Sequence, residues 1–154
     1  MTEIPDGFAA LPLSFGFIGV IGPLYGRQAT DGTLNLGFRV EERHCNPMGM
    51  AHGGMLVTFA DMQLPFGIRF QGHGLEDNFL PTVNLSVDFL GPAKLGTWVQ
   101  GETQVLRRTR NLAFAQCMVT ADGETALRAS GIFKIGQEMK FGQTSFADLF
   151  KQPG

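Results

Sequence analysis

The chain is poor in the residues that mark several large classes of protein. It holds 2 cysteines in 154 residues, Cys45 and Cys117. They form no Cys-x-x-Cys pair and are too few for a disulfide scaffold, so reduced thiols and a cytoplasmic setting are expected. Charged residues are 17% of the chain and the formal net charge is −2, which excludes a general nucleic-acid binder. The apolar run from Leu11 to Leu24 is too short to cross a membrane and is broken by Pro12, Pro23 and glycines. No basic segment precedes it, only Glu3 and Asp6, so no cleaved signal is expected. The glycines contain no P-loop or Rossmann fingerprint. His44, Cys45, His52 and His73 have no metal-ligand spacing, so no metal or cofactor is expected. Repeats, low-complexity tracts and linkers are absent.

What remains is a hydrophobic, glycine-rich chain. Its hydrophobic content is 44%, with 14 Phe, which fits one globular domain with an aromatic core or interface. A chain of this length can bury roughly 68–70% of its unfolded surface. The expected organisation is a lead-in over 1–17, a domain over 18–136 and a tail over 137–154, with a short helix near Phe146 to Phe150.

Hydrophobic periodicity orders the domain. A strand is expected from Ile18 to Gln28, then a hairpin at Asp31-Gly32 and an alternating strand from Thr33 to Val40. Glu41 to Ala51 reads as a loop because of Asn46-Pro47 and Gly49. Gly54 to Phe66 reads as a helix that is apolar on all sides, hence buried in a core, with Pro65 kinking or ending it. Gly67 to Pro81 reads as a loop. Strands follow at Thr82 to Phe89, Thr97 to Arg107, Leu112 to Ala121 and Glu124 to Ile135, with a second hairpin signal at Asp122-Gly123. One long helix against one antiparallel sheet of about six strands is a two-layer α+β domain.

Chemistry concentrates in Asn46-Pro47-Met48-Gly49-Met50-Ala51-His52-Gly53-Gly54 and the helix that follows. The helix carries one carboxylate, Asp61. A carboxylate among apolar residues is costly unless it is paired or put to use. The amides at the helix start form a ready site for developing negative charge. A base or nucleophile together with an oxyanion site points to acyl transfer.

These residues resemble the hotdog-fold thioesterases, in the PaaI-like and thioesterase-superfamily-member-2-like branch of the 4-hydroxybenzoyl-CoA thioesterase superfamily. The likeness rests on Asn46-Pro47 through His52-Gly53-Gly54, on Asp61 nine residues after His52, and on Thr82-Val83-Asn84-Leu85 leading to Gly91-Pro92-Ala93-Lys94-Leu95-Gly96. It extends over about residues 18–136. The resemblance implies a helix wrapped by a curved antiparallel sheet, assembled into homodimers and homotetramers, with the site between two subunits. It implies acyl-CoA hydrolysis, with coenzyme A as part of the substrate and no cofactor. Asp61 would act as general base or nucleophile and Thr82 would help orient water. Asn46 and the Gly53 amide of the other subunit would polarise the carbonyl.

Each residue also has a plainer reading. Asp61 could make an interface ion pair, Asn46 could start a turn, and Thr82 could be an ordinary strand residue. His52 fits a helix-start residue bonding backbone better than a general acid. Gly54, next to Gly53, would let substrate approach the backbone closely. Arg107, Arg108 and Arg110 form either a solvated hairpin end or a patch for the coenzyme A phosphates; Lys94 and Lys134 are weaker candidates for that role. A His44–Cys45 nucleophile pair is disfavoured because neighbouring side chains point apart. Two further readings are a hotdog dehydratase or hydratase, which would pair His52 with Asp61, and a non-catalytic acyl-CoA-binding module.

Overall fold

The structure is a computed structural model that describes residues 3–150. Residues 1 and 2 of the expected lead-in and 151–154 of the expected tail lie outside the described residues. Helix α1 spans Gly16–Ile21 and α2 spans Gly53–Arg69. The strands are β1 (Ala9–Ala10), β2 (Tyr25–Gln28), β3 (Leu34–Arg39), β4 (Thr82–Phe89), β5 (Trp98–Arg108), β6 (Leu112–Ala121), β7 (Glu124–Lys134), β8 (Lys140–Phe141) and β9 (Thr144–Ser145). The first seven form one antiparallel sheet in the order β1-β2-β3-β5-β6-β7-β4, and α2 packs across its inner face. The expected α+β architecture therefore holds, with seven strands in place of about six. The additional strand is the two-residue β1, which is below the length at which alternation can be read.

The core lies between α2 and the sheet. Phe38, Phe59, Leu64, Ile68, Val99, Val119, Leu127 and Phe133 are fully buried there. The closeness of helix and sheet depends on a missing side chain: a Cβ on Gly67 would stand 2.3 Å from the Cβ of Thr103. Beside it, Gln63 carries a complete buried network. Its Oε1 accepts from the Leu36 N–H at 2.7 Å, and its Nε2 donates to the Leu34 carbonyl at 3.2 Å and to Thr103 Oγ1 at 2.8 Å. In the sheet β3 pairs with β5 only over Gly37–Arg39. Gln63 thus satisfies backbone groups of Leu34 and Leu36, which pair with β2 but lie beyond the reach of β5, as burial requires.

Three readings need correction. The strand expected from Ile18 begins only at Tyr25, because Gly16–Ile21 is helix. The helix does not end at Pro65 and the expected loop does not begin at Gly67, since α2 continues to Arg69. Proline there removes one hydrogen bond, but burial of Phe66, Ile68 and Arg69 holds the last turn in place. Finally, α2 is not buried all round: Gly54 is exposed, and Val57, Thr58, Asp61 and Met62 are only half-buried. They lie on one stripe that this chain's own sheet leaves open.

The tail forms the β8–β9 hairpin and a short 3-10 turn over Ala147–Phe150. Phe146 and Phe150 stack on Phe66 and on each other at centroid distances of 5.0–5.8 Å. Arg69 lies beneath them, donating to the Asn78 carbonyl at 2.9 Å with its guanidinium 4.8 Å from the Phe146 ring. Burial lowers its pKa to about 10.

Candidate active site

Asp61 projects from the open face of α2, two turns into the helix. Thr82, the first residue of β4, donates its Oγ1 hydrogen to Asp61 Oδ1 at 2.6 Å, a length typical of a hydroxyl bonded to a carboxylate. Among the described residues Asp61 makes no salt bridge; the two ion pairs present are Arg43–Glu41 and Arg128–Asp88. The carboxylate is therefore aimed but not neutralised. It is half-buried rather than enclosed, which corrects the expectation of a fully buried acid.

The N-terminus of α2 is capped by His52, whose Nδ1 accepts from the Gly54 N–H at 2.8 Å. Its carbonyl accepts from Met55 and Leu56 at 2.9 and 3.1 Å. Of the first-turn donors only the Gly53 N–H has no partner among the described residues. The site is close to its limit of space, since a Cβ on Gly53 would stand 3.3 Å from the Phe89 ring. Asn46 Oδ1 accepts from the Met48 and Met50 N–H groups at 3.0 and 3.3 Å. That is the turn role open to it from sequence. The same bonds fix the amide so that its NH2 faces away, without a partner among the described residues.

His52 is thus a cap. A His44–Cys45 dyad does not form: His44 Nδ1 accepts from the Glu41 N–H at 3.0 Å and its Nε2 contacts the Ile21 carbonyl at 2.7 Å. The Cys45 thiol points to the Glu41 carbonyl instead. No group of His, Cys, Asp or Glu able to hold a metal occurs among the described residues.

Arg107, Arg108 and Arg110 are exposed at the β5–β6 turn. Arg108 donates to the His73 carbonyl at 2.7 Å. The sheet register sets Thr82 opposite Phe133, Phe133 opposite Ala113 and Ala113 opposite Arg108. The basic turn and the Asp61–Thr82 pair therefore share one end of the sheet, three strands apart, about 14 Å.

Within one chain the two halves of the site do not meet. Gly53 and Asp61 are eight residues apart on one helix, about 12 Å along its axis. Sequence reasoning missed α1, whose Phe17 and Val20 face a cavity beside the cap. Its glycines and β-branched residues read as strand, and no cap residue precedes it: Phe15 makes no capping bond.

A long helix wrapped by an antiparallel sheet, bearing a lone carboxylate and an amide-rich tip, defines the class as a hotdog thioester hydrolase. A family model described as "Thioesterase superfamily" matches residues 48–127, and the chain belongs to that superfamily. A Pseudomonas aeruginosa protein named "Putative esterase PA0474" is 33% identical over 135 residues, 88% of this chain and 99% of its own. Human acyl-coenzyme A thioesterase 13 is 27% identical over 132 residues, 85% of this chain and 92% of its own. The crystal structure of zebrafish thioesterase superfamily member 2 superposes with a TM-score of 0.68 at 28% identity, over 79% of this chain and 87% of that one.

Proposed function

We propose that the protein hydrolyses acyl-CoA thioesters at sites built between two copies of the chain. The observation that carries this reading is the Asp61 carboxylate, held by Thr82 and without an ion-pair partner among the described residues. The kinship to human acyl-coenzyme A thioesterase 13 supports the substrate class.

The second copy follows from distance and from surface. Asp61 and Gly53 cannot act on one carbonyl from the same helix. The open stripe of α2 lies beside β4, an edge strand of the sheet with Val83 and Phe89 exposed. An eight-residue edge strand that exposes apolar side chains among polar ones is open to pairing with another chain. A two-fold axis near Val57, midway between Gly53 and Asp61, would set two α2 helices antiparallel. Each Asp61 would then face the other copy's Gly53 and Asn46.

In the reaction the thioester oxygen accepts from the Gly53 N–H of one copy and the Asn46 NH2. Charge develops on that oxygen, and each such donor is worth about 2.7–4 kcal/mol of barrier. Asp61 of the other copy takes a proton from water as the water oxygen bonds to the carbonyl carbon; in the alternative route Asp61 bonds to that carbon itself, and once the thiolate has left, water hydrolyses the mixed anhydride and supplies the thiolate's proton. The carbon–sulfur bond breaks, and the sulfur leaves as thiolate and collects the proton. A thiol of pKa about 8.5 needs no strong acid to depart, so one carboxylate suffices. Thr82 holds the carboxylate in register. Arg107 and Arg110, exposed and with no partner among the described residues, supply cations for the coenzyme A phosphates. A dehydratase reading loses support because His52 Nδ1 is committed to Gly54.

The test is thiol release from a panel of acyl-CoAs by the parent and by Asp61→Ala. The expected result is turnover by the parent and a kcat at least about 10²-fold lower in the variant. Equal rates, or tight binding without turnover by the parent, would remove this reading.

A further inference from the structure

Beside the amide tip of α2 lies a cavity of about 390 Å³, within the usual range for small-molecule sites. Phe17 and Val20 of α1 and Met55 of α2 are among its apolar lining, and His52, Gly54 and Cys45 line it too. Phe17 and Val20 are 62% and 67% exposed. Two large apolar side chains in solvent on a six-residue helix are a cost without a purpose in the isolated chain.

The wall they form is held rigidly from behind. The Ile21 carbonyl at the end of α1 contacts His44 Nε2, and the Gly22 carbonyl accepts from Arg43. His44 is buried with its ring stacked edge-on to Phe38 at 5.2 Å, and its carbonyl accepts from the His52 N–H at 2.8 Å. One buried residue thus fixes both the cavity wall and the cap of α2. Arg43, which lines the cavity, is already paired with Glu41 at 3.2 Å, and among the described residues no carboxylate lines it.

Two other cavities are poorly placed. The one near Leu11, Phe70 and Phe150 lies at the far end of α2, about 25 Å from Gly53 along the helix. The one between Asp88, Glu102 and Arg128 opens on the outer face of the sheet.

We propose that α1 is the selectivity wall of the enzyme: the apolar acyl group of the substrate lies across Phe17 and Val20 against Met55. This rests on the thioesterase reading, because it takes the substrate carbonyl to be held at the Gly53 N–H beside Gly54. The cavity accepts uncharged chains, and its depth sets the preferred length.

Two measurements test it. The first is kcat/KM for acetyl-CoA and dodecanoyl-CoA in the parent and in Val20→Trp, which narrows the cavity. The dodecanoyl-to-acetyl ratio is expected to fall at least about tenfold; an unchanged ratio overturns the assignment. The second is alkylation of Cys45 with iodoacetamide, read by peptide mass. Cys117 is a silent companion because burial pushes its pKa up to about 12. A non-hydrolysable dodecyl-CoA thioether is expected to protect Cys45 and free coenzyme A is not. Equal protection by coenzyme A alone, or a Cys45 unreactive before any ligand is added, overturns the assignment in favour of the leaving group or of a second copy. If the parent hydrolyses no thioester but the thioether still protects Cys45, the wall stands and the thioesterase reading falls. If the parent hydrolyses acyl-CoA and the thioether does not protect, the wall alone falls.

Discussion

Thr82 Oγ1 donates to Asp61 Oδ1 at 2.6 Å, joining the first residue of an edge strand to the middle of the long helix. A hydrogen bond to a charged group is worth about 1.5–3 kcal/mol. Thr82→Val keeps the shape and deletes the donor. Its kcat is expected to fall by about tenfold or more with KM little changed, and Thr82→Ser is expected to restore most of it. Steady-state kinetics on one acyl-CoA reads all three proteins. A KM effect alone would mean that Thr82 contacts substrate instead of aiming the base.

The half-buried Val57 lies midway between Gly53 and Asp61 on the open stripe of α2. In a two-fold pair it meets its own copy, so Val57→Arg would set two like charges against each other. Sedimentation is expected to show a monomer, and thiol release to fall with it. Circular dichroism is expected to keep the parent's secondary structure. A Val57→Arg dimer of full activity would place the axis elsewhere.

Gly67 gives the sharpest packing test. Its missing Cβ would fall 2.3 Å from Thr103 Cβ, and Thr103 is itself tied to Gln63. Gly67→Ala is therefore expected to cost about 1–3 kcal/mol by overpacking. Denaturant unfolding should show a lower midpoint with an unchanged slope. No loss of stability would mean that helix and sheet stand farther apart than described.

Cys117 predicts an alkaline dependence of stability. Burial raises its pKa from 9.0 to about 12. Above pH 9 the unfolded chain releases this proton and the folded chain keeps it. The folded state then binds more protons, and stability falls as pH rises, by up to about 1.4 kcal/mol per pH unit. Arg69, lowered from 12.5 to about 10, acts in the opposite direction, but only above pH 10. Between pH 9 and 10 the parent is expected to lose stability faster than Cys117→Ala, measured by urea unfolding. Parallel curves would remove the assigned cause.

Much of this was legible in the sequence where pattern and chemistry agree. Alternation from Thr82 to Phe89 and the Asp122-Gly123 turn are local signals, and β4 and the β6–β7 hairpin follow them. The family resemblance implies Asp61 and Thr82 in one site from one subunit, and the fold brings the two side chains into contact. Other features depend on partners distant in sequence. Proline at 65 argues locally for a helix end, yet burial of the turn beyond it overrides that preference. The run Phe17-Ile18-Gly19-Val20-Ile21 favours strand by propensity, yet it is helix, tied by His44 at a separation of 23 residues. Gln63 looks like an ordinary helix residue until the part of β3 that β5 does not cover lies beside it.

The central claim is that each site takes Asp61 from one copy and Gly53 with Asn46 from the other. Mixing two separately inactive variants tests it most directly. Asp61→Asn and Asn46→Ala are unfolded together, refolded, and assayed for thiol release. Exchange would give mixed dimers with one intact site each, so activity is expected to recover to about a quarter of the parent's. Activity that stays at the level of the separate variants, in a sample shown by mass to contain mixed dimers, would place the whole site within one chain and contradict the account.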